Sequence, residues 1–244
     1  MRHSLFWLLG LWCGQAVSAE PLLVGIEELN YLPYYAYQNQ QFSGFGHDVL
    51  EAFAADSGHT FRYRALPIKR LYIEFLADHL DFKFPDNPYW LATEKNGIAI
   101  QYSEPIIEFT DGVLVRPNRV GNGVDTLKII ATVRGFTAFD YLDRIRDGRV
   151  KLSEMDTLEA LTKATLSGRV DGSYFNVVVA ARHLAKTERQ PGALVYDPSL
   201  PHTDSHYHLS TIRHGDILAE FNAFLRSHPE LLAELRKKWE IPAP

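Results

Sequence analysis

The alternation of hydrophobic and polar residues predicts an α/β protein, in which short apolar strands alternate with amphipathic helices along the chain. Residues 22–26 form a continuous apolar run of the kind found in buried parallel strands. Helical spacing follows in 44–57, where Gly58 marks the end of the helix. The further predicted strands are 60–66, 81–84, 98–102, 112–116, 127–132, one ending at Asn176, and 206–212. One further predicted helix begins at Pro67, and the others cover 137–147, 156–167, 216–227 and 229–240.

Residues 81–116 indicate where a ligand is bound. Pro85 and Pro105 mark places where the backbone leaves regular strand pairing, because proline cannot donate a ladder hydrogen bond. The polar residues Asp86, Asn87 and Lys95 then fall near strand ends, where open α/β sheets bind small ligands. The segment therefore predicts a binding edge followed by a crossing into a second lobe.

Composition and charge restrict the partners. The 244 residues are 46% hydrophobic and 23% charged, which is ordinary for a globular protein. The formal net charge is −5 and no basic block is present, which argues against a nucleic-acid partner. The expected partner is a small molecule.

The first 19 residues have the pattern of a cleavable secretory signal peptide. Arg2 supplies the positive start, a short apolar run follows, and Val17-Ser18-Ala19 forms a small-residue cleavage site. The only cysteine, Cys13, lies inside this segment. A chain cleaved after Ala19 has neither disulfides nor thiol chemistry, and its predicted location is the periplasm.

Two motifs resemble a known family. The sequence Thr93-Glu94-Lys95 followed by Tyr102-Ser103-Glu104-Pro105-Ile106 is similar to the "T-x-E-R … F-S-x-P-Y" signature of family 3 bacterial extracellular solute-binding proteins. Further similarities, in the same order as in the family, lie at 44–48, 133–140, 168–172 and 235–239. The resemblance covers essentially the whole chain after residue 19.

This resemblance implies the two-lobed type II fold of periplasmic binding proteins, with two hinge crossings near 105–111 and 201–205. Lobe 1 is then expected to comprise 20–108 plus 204–244, and lobe 2 to comprise 109–203. The implied function is a monomeric receptor that captures a small polar, carboxylate-bearing metabolite, either an amino acid or an organic acid. The implied partner is an ABC importer, and no cofactor is expected.

The resemblance also implies a set of ligand contacts. Lys95 stands where the family usually has an arginine, and Arg134 adds a bidentate donor beside a predicted helix start at 135–137. Asn176 replaces an aspartate that holds the ligand ammonium in amino-acid receptors, so an anionic ligand is expected. The predicted ligand-binding residues are Tyr31, Tyr34, Arg70, Asp86, Asn87, Lys95, Arg134, Gly135, Phe136, Thr137 and Asn176.

Several alternatives stay open at this point. One alternative is a ligand with an ammonium group, because Glu27, Glu28, Asp86 or Asp140 can bind that group from elsewhere in the cleft. A dehydratase-like enzyme on the same scaffold needs a cleft acid, for which Glu27 or Glu28 is available, but no acid–base motif is evident and a non-enzyme is expected. A receptor that reports to a membrane sensor has the same fold. A zinc site is not expected, although the sequence contains the group His202, His206 and His208.

Overall fold

The computed structural model of the protein describes residues 20–243. The predicted signal peptide, 1–19, lies outside the described residues. The strands are β1 (Leu22–Glu27), β2 (Asn30–Tyr31), β3 (Tyr35–Gln38), β4 (Gln41–Ser43), β5 (Phe61–Leu66), β6 (Phe82–Asp86), β7 (Gln101–Tyr102), β8 (Ile107–Val115), β9 (Ile129–Val133), β10 (Lys151–Met155), β11 (Gly172–Asn176), β12 (Val195–Tyr196) and β13 (Thr203–Thr211). The helices are α1 (Phe45–Ser57), α2 (Ile68–Leu76), α3 (Leu142–Arg146), α4 (Leu158–Leu166), α5 (Val177–Arg182), α6 (Gly215–Ser227) and α7 (Pro229–Lys238).

One long mixed sheet runs through the molecule in the order β10-β9-β11-β8-β13-β6-β1-β5. Its two ends are parallel, because β1 pairs with β5 and β6, while β9 pairs with β10 and β11. Its centre is antiparallel, where β8 pairs with β13. A connection between parallel strands needs a crossover, and the helices supply it at both ends.

The two central strands change partner halfway along their length. Thr203–Tyr207 of β13 pairs with β8, whereas His208 and the residues after it pair with β6 and β7. In β8, Asp111 pairs with Thr203 on one side and with Asn176 on the other. Both strands therefore cross between the two halves of the sheet, as the two predicted crossings require. The assignment of 20–108 plus 204–244 and 109–203 to separate lobes stays a prediction.

Aromatic side chains from several elements form the core beside β1. Phe53 of α1 packs edge-on against Phe221 of α6, with ring centroids 5.1 Å apart, and at 5.6 Å from Phe224. Burying each such ring stabilises the fold by about 1.5–3 kcal/mol. Gly46 lies so close to Phe84 that a Cβ at this position would be 2.2 Å from the ring. The first turn of α1 can therefore approach β6 only because residue 46 is glycine.

The largest difference from the predicted elements lies after β9. The sequence predicts a helix over 137–147, but the structure has a 3₁₀ turn at Phe139–Tyr141 followed by the short helix α3. Ala138 and Tyr141 are buried in a hydrophobic cluster that includes Val113, Ile130 and Tyr174. This packing takes precedence over a regular α-helix starting at Thr137. An α-helix starting at Thr137 is therefore not available to bind an anion.

Smaller differences have local causes. The α4 helix is capped by the Thr157 hydroxyl, which accepts from the Ala160 N–H, and not by the neighbouring Asp156. Strand β6 continues through Pro85, since a proline is tolerated where its missing N–H is not needed. The β2–β4 sheet, β10, α5 and β12 were not predicted, because each is too short to show a clear hydrophobic period.

Candidate functional site

A partly open cavity of about 470 Å³ lies where β8 and β13 change partners. We call it the central cavity. This volume includes open solvent at the mouth, and about 40 Å³ of it is accessible to the centre of a water-sized molecule. The residues that line it are Glu27, Tyr31, Tyr35, Ile68, Tyr72, Trp90, Leu91, Asp111, Gly135, Phe136, Thr137, Phe139 and Tyr207.

The fold brings these residues together from both halves of the sheet. Glu27 ends β1 and Tyr31 lies in the small sheet that follows it, while Tyr207 lies in β13. The turn after β9 contributes Gly135 and Phe136 from the opposite side. Gly135 has φ of 95°, a left-handed conformation that favours glycine and lets the turn approach the cavity.

Asp111 is the most unusual polar group in the cavity wall. Its side chain is 8% exposed, and Oδ1 has no hydrogen-bond partner among the described residues. Burial raises the pKa of Asp111 to about 7. A hydrogen bond from the Asn176 amide lowers this pKa, whereas the charges of Glu27 and Asp140 raise it further. Asp111 is therefore a carboxyl group with a pKa raised to about 7 and without a counter-ion among residues 20–243.

Glu27 is the second acidic group in the wall. It is 4% exposed and accepts a short hydrogen bond from the Tyr35 hydroxyl. Burial raises the pKa of Glu27, while Lys83 and the Tyr35 hydroxyl oppose the increase. Unlike Asp111, Glu27 thus has both a hydrogen-bond donor and a nearby positive charge.

Aromatic rings make up most of the remaining wall. Tyr31 stacks on Tyr35 with centroids 4.9 Å apart and on Phe136 with centroids 5.7 Å apart. Tyr207 stacks on Phe109 at 4.4 Å and meets Trp90 edge-on at 6.0 Å. The Tyr31–Phe136 stack joins the small sheet after β1 to the turn after β9, and so closes one side of the cavity.

Lys83, Asp86 and Lys95 form a buried lysine–aspartate cluster behind this wall. Asp86 is fully buried and lies 2.8 Å from Lys95 Nζ and 3.4 Å from Lys83 Nζ, and it also accepts from the hydroxyls of Tyr72 and Ser210. Burial acts to raise the pKa of Asp86, but the two lysines outweigh it and lower the pKa. Both lysine charges are thus directed at Asp86.

The predicted cationic contacts do not line the central cavity. Lys95 Nζ donates to Asp86 and to the Asn87 carbonyl oxygen at 2.7 Å. Arg134 is 57% exposed and pairs with Asp156 at 3.0 Å and with Glu154 at 3.8 Å. The predicted anion cradle of Lys95 and Arg134 is therefore not formed around the cavity.

The other predicted residues divide into two groups. Tyr31, Gly135, Phe136 and Thr137 lie in the cavity wall. The remaining ones hold the surrounding structure: Arg70 is an exposed partner of Glu74, Tyr34 packs against Tyr207, Asn87 donates to Ser205, and Asn176 caps α5 by accepting from Val179 N.

Sequence analysis missed the acidic residue that distinguishes the cavity. Asp111 lies in β8 directly before the apolar residues 112–115, and the sequence placed it only in the crossing region. A charged residue at the start of a fully buried stretch is the signal that identifies it, because a buried charge is costly unless it is paired. Tyr72, Trp90 and Tyr207 carry no comparable signal, since buried aromatic residues are common in cores.

Within 20–243, no group of three or more His, Asp or Glu side chains is placed to hold a metal ion. None of the helices in this part of the chain is long and apolar enough to cross a membrane.

Comparison with known proteins identifies the fold. No family model matches the sequence, and no curated protein matches it either. Solved structures do match: the ligand-binding core of GluR0 in complex with L-glutamate has a TM-score of 0.74 at 18% identity, over 91% of this chain and 99% of that one. The arginine-, lysine-, histidine-binding protein ArtJ from Geobacillus stearothermophilus has a TM-score of 0.72 at 17% identity, over 92% of this chain and 97% of that one.

A histidine kinase sensor domain with similarity to periplasmic binding proteins also matches, with a TM-score of 0.71 at 18% identity, over 90% of this chain and 96% of that one. Similarity at this level of identity establishes a shared fold. The predicted two-lobed type II fold is therefore confirmed.

Proposed function

We propose that this chain, which has the type II binding-protein fold, is a receptor that encloses a small solute between its two lobes and releases it unchanged. The central cavity is the observation that carries the proposal. Its wall is assembled from both halves of the sheet, at the place where β8 and β13 change partners. Ligands of open α/β sheets bind at such switch points.

The type II fold supports a closing motion around the ligand. Two lobes joined by a pair of crossing strands can rotate as rigid bodies, with the bending confined to those strands. In this chain β8 and β13 are the crossing strands, and Asp111 in β8 lines the cavity. A ligand held between the lobes therefore contacts the crossing directly, which couples binding to closure.

A cavity-filling variant tests the proposal. The purified chain is screened by native mass spectrometry for a co-purified small molecule and by thermal shift against a panel of small metabolites. Thr137→Trp places a large ring in the cavity wall. It is expected to abolish both the co-purified small molecule seen by mass spectrometry and the thermal shift with metabolites. Val120→Trp, at a position that is 45% exposed and outside the wall, is the matched control and is expected to retain both. Binding that survives Thr137→Trp would contradict the proposal.

We further propose that the receptor acts in the periplasm after removal of 1–19, as a monomer that delivers its ligand to an ABC importer. The pattern of the first 19 residues and the family resemblance support this placement. Delivery to a membrane sensor is the second possibility, and the shared fold with a histidine kinase sensor domain supports it. Co-purification with the permease or sensor encoded nearby distinguishes the two.

An enzymatic role is the second candidate function, and Glu27 is the observation that favours it. A buried carboxyl group with a raised pKa in a ligand cavity has the properties of a general acid. Incubation of the chain with prephenate, arogenate and the identified ligand separates the candidates. The receptor proposal expects every compound to be recovered unchanged, whereas turnover that Glu27→Gln abolishes would establish the enzyme.

A further inference from the structure

The charged side chains in the wall of the central cavity are both acidic. Within the described part of the chain, Glu27 and Asp111 line it and no lysine, arginine or histidine does. The polar partners of Glu27 are already present, since Tyr35 donates to it. Asp111 Oδ1 is buried and without a donor. The residues of this wall therefore supply Asp111 with no positively charged hydrogen-bond donor, and a ligand can provide one.

The nearby cations are not free to supply that charge. Lys83 and Lys95 both face Asp86, and Arg134 pairs with Asp156 and Glu154 outside the cavity. A carboxylate entering the cavity would meet two acidic groups without a compensating base, and such burial of an unpaired charge is very unfavourable. The arrangement discriminates against anions.

The aromatic wall is complementary to a cation with an apolar body. The face of an aromatic ring carries partial negative charge and attracts ammonium groups within about 6 Å. Tyr31, Phe136 and Tyr207 line the cavity together with Asp111. Tyr31 is stacked on both Tyr35 and Phe136, and Tyr207 has one face on Phe109. Lys83 Nζ lies 4.2 Å from the ring centroid of Tyr72 and 5.7 Å from that of Trp90, so these two rings of the wall already have a cation beside them.

We propose that the ligand of this receptor is a small organic cation, an amine or quaternary ammonium compound without a carboxylate, whose charged group pairs with Asp111 beside the ring of Tyr207. This inference rests on the receptor function proposed above and names its ligand class. Asp111 is the residue that determines specificity for charge, and the aromatic rings hold the apolar part.

Two sets of three compounds of matched shape, together with choline, test the charge preference. Binding of phenethylamine, 2-phenylethanol and 3-phenylpropionate is measured by calorimetry at pH 8, alongside the aliphatic set n-butylamine, n-butanol and butyrate and the quaternary ion choline. The expected result is that the cationic members bind about tenfold or more tightly than their neutral and anionic counterparts. Preferential binding of a carboxylate, or absence of binding by every cation, overturns the inference.

Two carboxylate variants test the role of Asp111. Asp111→Asn keeps the shape of the side chain and removes its charge, and it is expected to weaken binding of the cations by about tenfold or more while leaving the neutral compounds unchanged. Asp204→Asn removes one negative charge from a largely exposed position on the neighbouring strand β13 and is expected to bind like the wild type. Equal affinities in Asp111→Asn and wild type overturn the inference, and a circular dichroism melt verifies that both variants fold.

The two proposals fail in different ways. If a carboxylate binds, and Thr137→Trp abolishes that binding, the receptor function stands and the cation inference is wrong. If the native chain carries no small molecule, gives no shift with any metabolite and binds none of the test compounds, the receptor function itself is wrong.

Discussion

Asp111 and Asn176 lie directly opposite each other on the neighbouring strands β8 and β11. The Asn176 side-chain oxygen accepts from the Val179 N–H at 3.0 Å, and its amino group lies 3.4 Å from the Tyr207 hydroxyl. The amide thus serves a helix cap and a tyrosine, while Asp111 Oδ1 has no donor among residues 20–243. The amide of Asn176 favours the ionised form of Asp111, but the effect of burial is larger and keeps its pKa raised.

The first prediction concerns the stability of the ligand-free chain. The pKa of Asp111 is about 7 in the folded chain and near its ordinary value of 3.8 in the unfolded chain. Between these values the folded chain binds more protons, so its stability falls as the pH rises. Asp111→Asn removes this loss and is expected to increase the free energy of unfolding by about 1–3 kcal/mol at pH 8. Near pH 4 it is expected to have little effect.

Urea unfolding of wild type and Asp111→Asn at both pH values measures this difference. Asp204→Asn is the control, because its carboxylate is 69% exposed and is already solvated by water. A destabilised Asp111→Asn at pH 8 would show that the carboxylate has a partner in the native state.

The second prediction is that cation affinity increases with pH. A cation binds the ionised form of Asp111, and the empty cavity holds a growing fraction of that form as the pH rises through about 7. The affinity for choline, whose own charge does not titrate, is therefore expected to rise up to about tenfold per pH unit below pH 7 and to level off near pH 8. The other titratable groups facing Asp111 are Glu27, Tyr31, Tyr34, Tyr35, Asp140, Tyr174 and Tyr207.

Calorimetry at pH 6, 7 and 8 provides the measurement. The tyrosines do not titrate in this window, because burial raises their pKa values further above 10. Glu27 is the other group whose pKa is raised, so Glu27→Gln is run in parallel and is expected to keep the dependence. A dependence that persists in Asp111→Asn would assign the titration to another group.

The third prediction separates stability from binding at Lys95. Lys95→Met leaves Asp86 with Lys83 as its remaining cationic partner, and removal of one partner from a buried ion pair is strongly destabilising. We expect the free energy of unfolding at pH 7 to fall by about 2–4 kcal/mol. Choline binding is expected to be retained, because Lys95 is outside the cavity wall.

Arg70→Met is the matched control for Lys95→Met. It removes the same charge from a side chain that is 62% exposed and paired with Glu74 on the same helix, where ion pairs contribute little. Denaturation in urea and calorimetric titration of the two variants provide the comparison. Loss of ligand binding in Lys95→Met without loss of stability would contradict this prediction. It would support the anion site at Lys95 that the sequence predicts.

The fourth prediction tests the ring stack at the mouth of the cavity. Phe136 stacks on Tyr31 and lies 5.1 Å from the ring of Phe175, which is itself 5.2 Å from Tyr31, so the three rings form one cluster. Phe136→Ala removes one aromatic face from the site and one contact between the two halves, and it is expected to weaken cation binding by about 3- to 30-fold. Phe136→Tyr keeps the ring and is expected to bind like the wild type, as measured by the same titration. Equal weakening by both variants would indicate a steric effect of the position and not a contribution of the ring.

The elements with strong hydrophobic periods were predictable from sequence. The amphipathic helices α1, α6 and α7 and the apolar strand β1 all lie close to their expected places. The elements α1, α6 and β1 each bury an apolar face that shows in the local pattern, and α7 packs the half-buried Leu231, Leu232 and Leu235 against the core. The fold itself was predicted from ordered motifs along the chain. The 3₁₀ turn at Phe139–Tyr141 was not, since its shape depends on contacts of Tyr141 with distant strands.

The cavity was only partly predictable for the same reason. Tyr31 and the turn at 135–137 follow strands and were expected at a ligand site. Lys95 was expected to face the ligand, but its direction is decided by Asp86, a partner fixed by the tertiary structure. Asp111 became visible as an unpaired group only once its neighbours in β11 and β13 were known.

The shared strand β13 has a consequence for how the chain is made. Before Thr203–Thr211 is synthesised, β6 and β8 each lack the neighbour that pairs with them in the finished sheet. Unpaired strand edges are templates for association with other chains. A nascent or truncated chain that stops short of Thr203 is therefore expected to aggregate. If a separately added 203–243 fragment keeps the truncated chain monomeric, pairing of β13 with β6 and β8 is what protects their edges.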